Sequence, residues 1–564
     1  MKKIIIICLF LGLKAVQAQD AYPDLIKNVG VGVGGYDVGN DRDGNIYVAG
    51  AGVVYLSDDE FLPHQNYDGY IVKYSSQGEV LWAKRMGGEG NSDLVYSISV
   101  YNDAVYVIGG FRDSMNFNNP PSWESFVLYS DETNIYNVFL AKYSLEGDFI
   151  WANRFTVYGF YHVTSSLEGV YVSSGFKDSI NFNTPTDWSS NSLYAIGDTS
   201  DIFIAKYSHE GDFEWAKRYG GLKREDVLAL DASGGKLYVC GYFDDTLNFS
   251  PYYEPSSFEV YAEGQYDAFM VQLDMEGNPL WVKRMGSTNG AIAHDIDVYN
   301  NKIYVTGTSS AQMNFETPYN PNAAVLTYPI GGGIHSFLAQ FNLDGEVQWA
   351  ATLDGTYSWS RGVEVGERGV YCTGGFEESI SVNFSFSDYQ FIASAQGDRD
   401  VFLCKFSHEG IFQWGKRGGG VYKEFANSVS LYDKSVYIVG ESWSGGLMNF
   451  NTPWATGSNE IFCTGSFLAE FVESEAGLEE SNFSPFGGGQ GGGTTVIPNP
   501  NNGSFTLQNS ATTIKELTLY DAQGRKLYDL EKNSTKVELN LPKGVYFLEI
   551  ISENSRKIEK IVVN

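Results

Sequence analysis

Three carboxylates recur at one place in a repeated pattern: Asp231, Asp297 and Glu364. Each stands seven residues before a tyrosine, Tyr238, Tyr304 or Tyr371, on a polar strand-like segment. The same offset places Asn40, Ser99, Thr164 and Ser430 in the other copies. Acids from three successive units that approach a common axis would offer hard oxygen ligands, which suit calcium. The same acids are candidates for general acid–base work on a glycosidic bond, which needs carboxyls held in different environments. The competing reading is three solvated or hydrogen-bonded acids on polar strands. A second acidic run, Asp41-Arg42-Asp43-Gly44-Asn45, lacks the rest of an EF-hand loop and reads as a hairpin turn. The sequence contains no Gly-x-Ser-x-Gly elbow, no His-Glu-x-x-His and no phosphate-binding glycine loop. It has six histidines, of which His209 and His408 share one turn position in two copies and read as surface residues.

The elements that must position these acids are set by a long repeat. A tryptophan returns at Trp82, Trp151, Trp215, Trp281, Trp349 and Trp414, at intervals of 64 to 69 residues. Four residues before each lies a glycine, at Gly78, Gly147, Gly211, Gly277, Gly345 and Gly410. Apolar alternation on both sides of that glycine predicts an antiparallel outer hairpin, as in Asp267–Leu273 and Leu280–Arg284. A second strand runs Val105-Tyr106-Val107-Ile108-Gly109 in one copy and appears seven times. A more polar strand precedes each copy and is expected to be innermost. Long periods with short strands point to a radial array. Seven inner pairs face six complete outer hairpins. Phe467–Phe471 and Leu25–Gly30 are expected to supply the two halves of the seventh, closing the ring and removing an open edge. The recurring Trp and Lys-Arg residues read as framework, because a unique site should break a repeat.

These marks resemble the SBBP family of seven-bladed β-propeller repeats. Asp201-Ile202-Phe203 through Arg218, followed by Tyr219-Gly220-Gly221, carries that family's pattern. So does the Asn-Phe element at Asn116-Phe117, Asn181-Phe182, Asn248-Phe249, Asn314-Phe315, Asn383-Phe384 and Asn449-Phe450. The resemblance covers about residues 20 to 473 and implies a fold without shared catalytic residues. The long connections between second and third strands hold Trp123, Trp188, Trp443 and Trp454. On one rim these would stack on sugar rings or anchor a protein partner. The alternative is that they pack the edges of their own blades.

Met1-Lys2-Lys3, the apolar run Ile4–Leu13 and Val16-Gln17-Ala18 predict a signal peptide over residues 1–18. No other segment is long and apolar enough to span a membrane. Four cysteines follow it, Cys240, Cys372, Cys404 and Cys463, without metal-ligand spacing. Cys372 and Cys404 could face each other on neighbouring strands, which leaves a disulfide open beside the reading as buried thiols. The net charge is −31. Setting aside the three lysines of the leader and the net +1 of residues 495–564 leaves −35 on the region between. Such a surface repels phosphate backbones, so nucleic acid is not an expected partner.

Residues 474–495 include Gly487-Gly488-Gly489-Gln490-Gly491-Gly492-Gly493 and read as a flexible linker. Beyond it, residues 496–564 carry Pro498-Asn499-Pro500, the strand Gly544-Val545-Tyr546-Phe547-Leu548 and a lysine-rich last strand. This order resembles a type A C-terminal sorting domain of the type IX secretion system. The resemblance implies a small immunoglobulin-like sandwich, recognition by the secretion machinery, removal of the domain, and release or attachment to surface lipopolysaccharide. The expected fold class is therefore all-β: a seven-bladed propeller over residues 19–473, closed by its terminal strands, plus the sandwich. The expected role is a secreted, cell-surface, non-enzymatic binding or adhesion scaffold for a glycan or protein, with no cofactor beyond a calcium ion. The alternative is an extracellular polysaccharide-active enzyme.

Overall fold

The computed structural model describes residues 25–54, 68–88, 93–117, 126–130, 137–155, 161–182, 191–197, 199–250, 258–315, 325–326, 333–383, 391–443, 446–450, 460–463, 465–473, 495–497, 504–508, 514–521, 526–529, 536–538, 544–552 and 556–563. The described elements are all β-strands, and all the strand pairs are antiparallel. The leader and the glycine linker lie outside the described residues. No helix among the described residues is long and apolar enough to cross a membrane.

Each repeat folds as the periodicity predicts. An inner hairpin pairs Leu94–Tyr101 with Ala104–Phe111, and an outer hairpin adds Asn137–Ser144 and Phe149–Phe155. The innermost strands touch in cyclic order: Leu25–Asn40, Leu94–Tyr101, His162–Ser166, Glu225–Ser233, Ala291–Tyr299, Val347–Gly366 and Glu424–Tyr432, which returns to the first. The architecture is thus propeller-like. The hydrogen-bonded sheets do not divide into seven, however. The repeats form five main sheets, because Leu25–Asn40 and Val347–Gly366 are long strands that each run from one repeat into the next. The first half of Leu25–Asn40 pairs with Gly465–Val472, with Leu25 opposite Glu470. Its second half pairs with Ile46–Val54. The chain ends of the array therefore share one sheet, as the split hairpin predicted.

The core lies between successive repeats. Tyr106, Ile108 and Leu140 of one repeat pack with Val163, Val172 and Phe203 of the next. Val48 and Val72 pack in the same way on Tyr437, Val439 and Leu468, which joins the first repeat to the last. Each Val, Leu, Ile or Phe so buried contributes about 1.5–3 kcal/mol.

The two sequence marks, Gly and Trp, turn out to be one contact. Gly211 sits in its turn at φ +92°, and a Cβ there would lie 2.8 Å from the ring of Trp151 in the preceding repeat. The Trp151 indole N–H donates to the His209 carbonyl of the same turn at 3.1 Å. Trp82, Trp281 and Trp349 donate likewise to Leu145, Leu343 and His408. The repeat period is therefore the period of a bracket between neighbours. His209 and His408 belong to it. Each ring stacks on Tyr101 or Tyr299 and reaches the hydroxyl of Tyr106 or Tyr304, so these histidines are joints between repeats.

The Asn-Phe element is a further piece of each repeat. Phe117, Phe182, Phe249, Phe315 and Phe450 are buried. They meet Phe139, Phe203, Phe269, Phe337 and Phe467 at 5.2–5.9 Å between ring centres. Phe384 lies outside the described residues.

The C-terminal unit, described by itself, has two antiparallel sheets. One orders Thr495–Ile497, Ser504–Gln508 and Lys536–Glu538. The other orders Lys526–Asp529, Ile514–Asp521, Gly544–Ser552 and Arg556–Val563.

Candidate functional site on the innermost strands

The inner strands carry stacked rows of side chains around the ring. In six repeats the residue expected beside the acids stands opposite the tyrosine: Ser99, Thr164, Asp231, Asp297, Glu364 and Ser430 face Tyr106, Tyr171, Tyr238, Tyr304, Tyr371 and Tyr437. Asn40 departs from the row. Tyr47 faces Gly39, because the turn Asp41–Asn45 is one residue longer than its counterparts.

The three acids feel one another's charge, and two of them, Asp231 and Asp297, bond to the next inner strand. Asp297 accepts the Val365 N–H at 2.6 Å, on the edge of the next inner strand that pairs with no other described strand there. Two residues earlier, Asp295 accepts the Val363 N–H at 2.8 Å. Asp231 accepts from Val298 in the same direction. Asp37 accepts the Ile98 N–H at 2.9 Å and the Ser428 hydroxyl at 2.8 Å, tying the first repeat to both neighbours. Burial raises Asp231 to about 6 and Asp295 to about 8. Burial, then the repulsion of neighbouring carboxylates, pushes Asp297 and Glu364 well above the ordinary range. A carboxyl titrating between 6 and 8 can serve as a general acid near neutral pH. Among the described residues no group of three or more His, Cys, Asp or Glu side chains is placed to hold a metal ion. The other acidic candidate is a closed turn. Asp41 accepts from the Asp43 and Asn45 backbone, the Asn45 amide and the Tyr47 hydroxyl.

A second row was not singled out from the sequence. Ten residues before the tyrosine the inner strand bulges, and the extra residue is Tyr96, Leu228, His294, Arg361 or Asn427. Tyr36 bulges in the first repeat, and Tyr161 holds the same offset in the third. Bulges re-aim a side chain and recur beside functional sites. Here they meet from repeat to repeat. Tyr36 lies 5.3 Å from Tyr96, and Tyr96 lies 5.5 Å from Tyr161. Asn427 donates to the Gly35 carbonyl at 2.9 Å. The Arg361 guanidinium lies 4.8 Å from the centre of the Phe425 ring. Burial, and then the charge of Arg361, depress His294 to about 3, so its imidazole is neutral. The bulge also explains a recurring glycine. A Cβ on Gly109 would lie 2.0 Å from the Leu94 carbonyl oxygen. The sequence signal was available: the row runs Tyr, Tyr, Tyr, Leu, His, Arg and Asn from repeat to repeat.

Beside Arg361 an aromatic group faces the same end. Arg399 lies 4.1 Å over Trp359 and pairs with Glu377 at 2.8 Å, and Tyr357 stacks on Trp359. Trp443, one of the four expected ligand-binding tryptophans, is 66% exposed at the start of its loop. Trp123, Trp188 and Trp454 lie outside the described residues. Cys372 and Cys404 are register partners on adjacent strands, and both are buried free thiols, as are Cys240 and Cys463. Burial raises Cys372 to about 12, and its sulfur lies 3.3 Å from the Thr306 hydroxyl.

Comparison with known proteins adds an address. Residues 495–564 match the family described as Secretion system C-terminal sorting domain. That match supports type IX export, to the cell surface or the extracellular space. The chain is 21% identical over 334 residues to an uncharacterized WD repeat-containing protein, L264, of Acanthamoeba polyphaga mimivirus, covering 50% of this chain and 24% of that protein. It is 29% identical over 119 residues to the regulatory protein FlaEY of Caulobacter vibrioides, covering 20% and 12%. The chain thus spans a quarter or less of these relatives. Among solved structures it is similar to the phage phi92 endosialidase, with a TM-score of 0.35, 10% identity, and 96% and 88% of the two chains covered. It is also similar to a member of the DUF4221 family from Bacteroides vulgatus, with a TM-score of 0.27, 11% identity, and 69% and 99% covered.

Proposed function

We propose that the protein is a secreted surface scaffold that binds a glycan or protein ligand without transforming it. In this reading a signal peptide over residues 1–18 starts export and the sorting domain completes it. The sorting domain is an immunoglobulin-like sandwich, removed near the glycine linker, with release or lipopolysaccharide attachment to follow. The repeats act as seven four-stranded blades of SBBP type. Support for seven comes from the cyclic contact of seven innermost strands and from the two long strands that change partner midway.

The observation that carries the binding role is the employment of the channel acids. Asp231, Asp295 and Asp297 accept backbone N–H groups of the neighbouring inner strand, so they knit the ring. The loop side meanwhile presents Trp443 and Tyr357 with Arg361 and Arg399. The raised proton affinity of Asp231, Asp295 and Asp297 favours the second reading, a polysaccharide-active enzyme. Incubating the full chain with a polysaccharide panel, with and without calcium, separates the two. Retention of a polymer whose chain length stays constant supports the scaffold. Release of reducing ends that vanishes in an Asp231→Ala/Asp297→Ala/Glu364→Ala variant overturns it. A calcium ion at these acids predicts a rise in Tm on adding calcium that the same variant loses.

A further inference from the structure

We infer that three successive repeats carry a rim ladder for an uncharged polysaccharide, with Tyr129, Tyr194 and Tyr261 as its rungs. This deepens the binding reading above and rests on it. The three tyrosines are 68%, 66% and 61% exposed. They occupy one structural position. Each ends the return strand of a two-stranded ribbon that follows the inner hairpin, opposite Ser114, Ser179 or Thr246. The middle residue of each outgoing strand, Met115, Ile180 or Leu247, is buried and pins the ribbon to its repeat. Strand alternation then holds the tyrosine and its cross-strand hydroxyl on the outward face. An exposed carboxylate precedes each hydroxyl, at Asp113, Asp178 and Asp245. These three adopt positive φ of 56–64°, and their carbonyls receive the N–H of Ser130, Ala195 and Ala262, the residue after each tyrosine.

One rung therefore combines a ring face, a hydroxyl and a carboxylate. A pyranose offers C–H faces that pack on an aromatic ring and hydroxyls that donate to carboxylates. Between the ribbon of the middle rung and the outer hairpin of its repeat lies an open groove of about 280 Å³, lined by Ser192, Leu193, Phe213, Glu214 and Trp215 among others and not by Tyr194. Equivalent rungs on consecutive repeats match a ligand that is itself periodic; the third differs in having Thr246 for serine and in its Tyr261 hydroxyl, which donates to Glu259 at 2.8 Å. Charge chooses the kind of polymer. Arg154, which donates to the Tyr129 carbonyl at 2.6 Å, and the exposed Lys177 offset the acids of the first two rungs, so repulsion of uronate or sulfate chains rests on the net charge of −31, leaving neutral polymers as the complementary class.

Native electrophoresis of the full chain through gels containing xyloglucan, mixed-linkage β-glucan, mannan or polygalacturonate tests the ladder. At least one neutral polymer should retard the protein, and polygalacturonate should not. Three weak sites acting together gain avidity, so Tyr129→Ala/Tyr194→Ala/Tyr261→Ala should weaken retardation about 100-fold and each single change only a few-fold. The Tyr→Trp triple should retain binding, and an unchanged Tm verifies folding of every variant. Retardation by a neutral polymer that survives the alanine triple, or a preference for polygalacturonate, overturns the ladder while leaving the scaffold reading intact. Absence of retardation by every polymer also overturns it, and the scaffold reading then stands or falls on capture of a cell-envelope protein by the same full chain.

Discussion

At the scale of single residues, the inner-strand acids trade solvation for hydrogen bonds to a neighbour's unpaired edge. The trade has a pH signature. Asp295 titrates near 8 in the fold against about 4 unfolded. The folded state therefore binds the extra proton across that window, and stability falls as pH rises from about 4 to 8. Asparagine keeps an oxygen for the Val363 N–H and carries no charge. Asp295→Asn should thus raise stability at pH 8.5 by about 1–2 kcal/mol relative to its effect at pH 4.5, a value reduced from full linkage because Asp295 is only partly buried. Urea melts at the two pH values measure this, and a larger gain at pH 4.5 would contradict it. Asp41 should behave oppositely. Burial raises its pKa, but bonds from Asn45 and Tyr47 and the charge of Lys73 outweigh that and lower it. Its contribution is present above pH 4 and is lost as pH falls below.

At the scale of elements, the outer hairpin turn and the preceding tryptophan form one joint. Gly211→Val adds a β-branched side chain at φ +92° and into the Trp151 ring, and should cost about 3 kcal/mol or more. Gly234→Ala at φ +59° meets no atom within 4 Å and should cost about 1 kcal/mol. Equal losses in denaturant melts would mean that the Trp contact is irrelevant. These elements were legible early, because a hairpin turn leaves alternation and a glycine in the sequence. The bulge row was not. A bulge is one residue of mismatch between two strands, visible only once their register is known. Asn40 was misplaced for the same reason, since its turn had gained a residue. The exposed ribbons holding Tyr129, Tyr194 and Tyr261 were hidden by brevity, three residues a strand.

At the scale of the whole molecule, the ring depends on the strand that joins its ends. Removing residues 1–31 would expose Gly465–Val472 as an edge that is paired in the intact chain. The truncated protein should melt at lower temperature and associate with rising concentration in size-exclusion chromatography with light scattering. A monomer of unchanged Tm would show that the closing pairs carry little stability. The all-β class, the period, the split hairpin at the ends and the sorting domain can be read from the residues alone, because each rests on local patterning or on a contiguous motif. How the strands divide into sheets, which acids bridge repeats and which residues bulge emerge only from the folded chain. Those depend on register between strands and on contacts 60 or more residues apart, such as Asp297 with Val365 and Trp82 with Leu145, which no short stretch of sequence encodes.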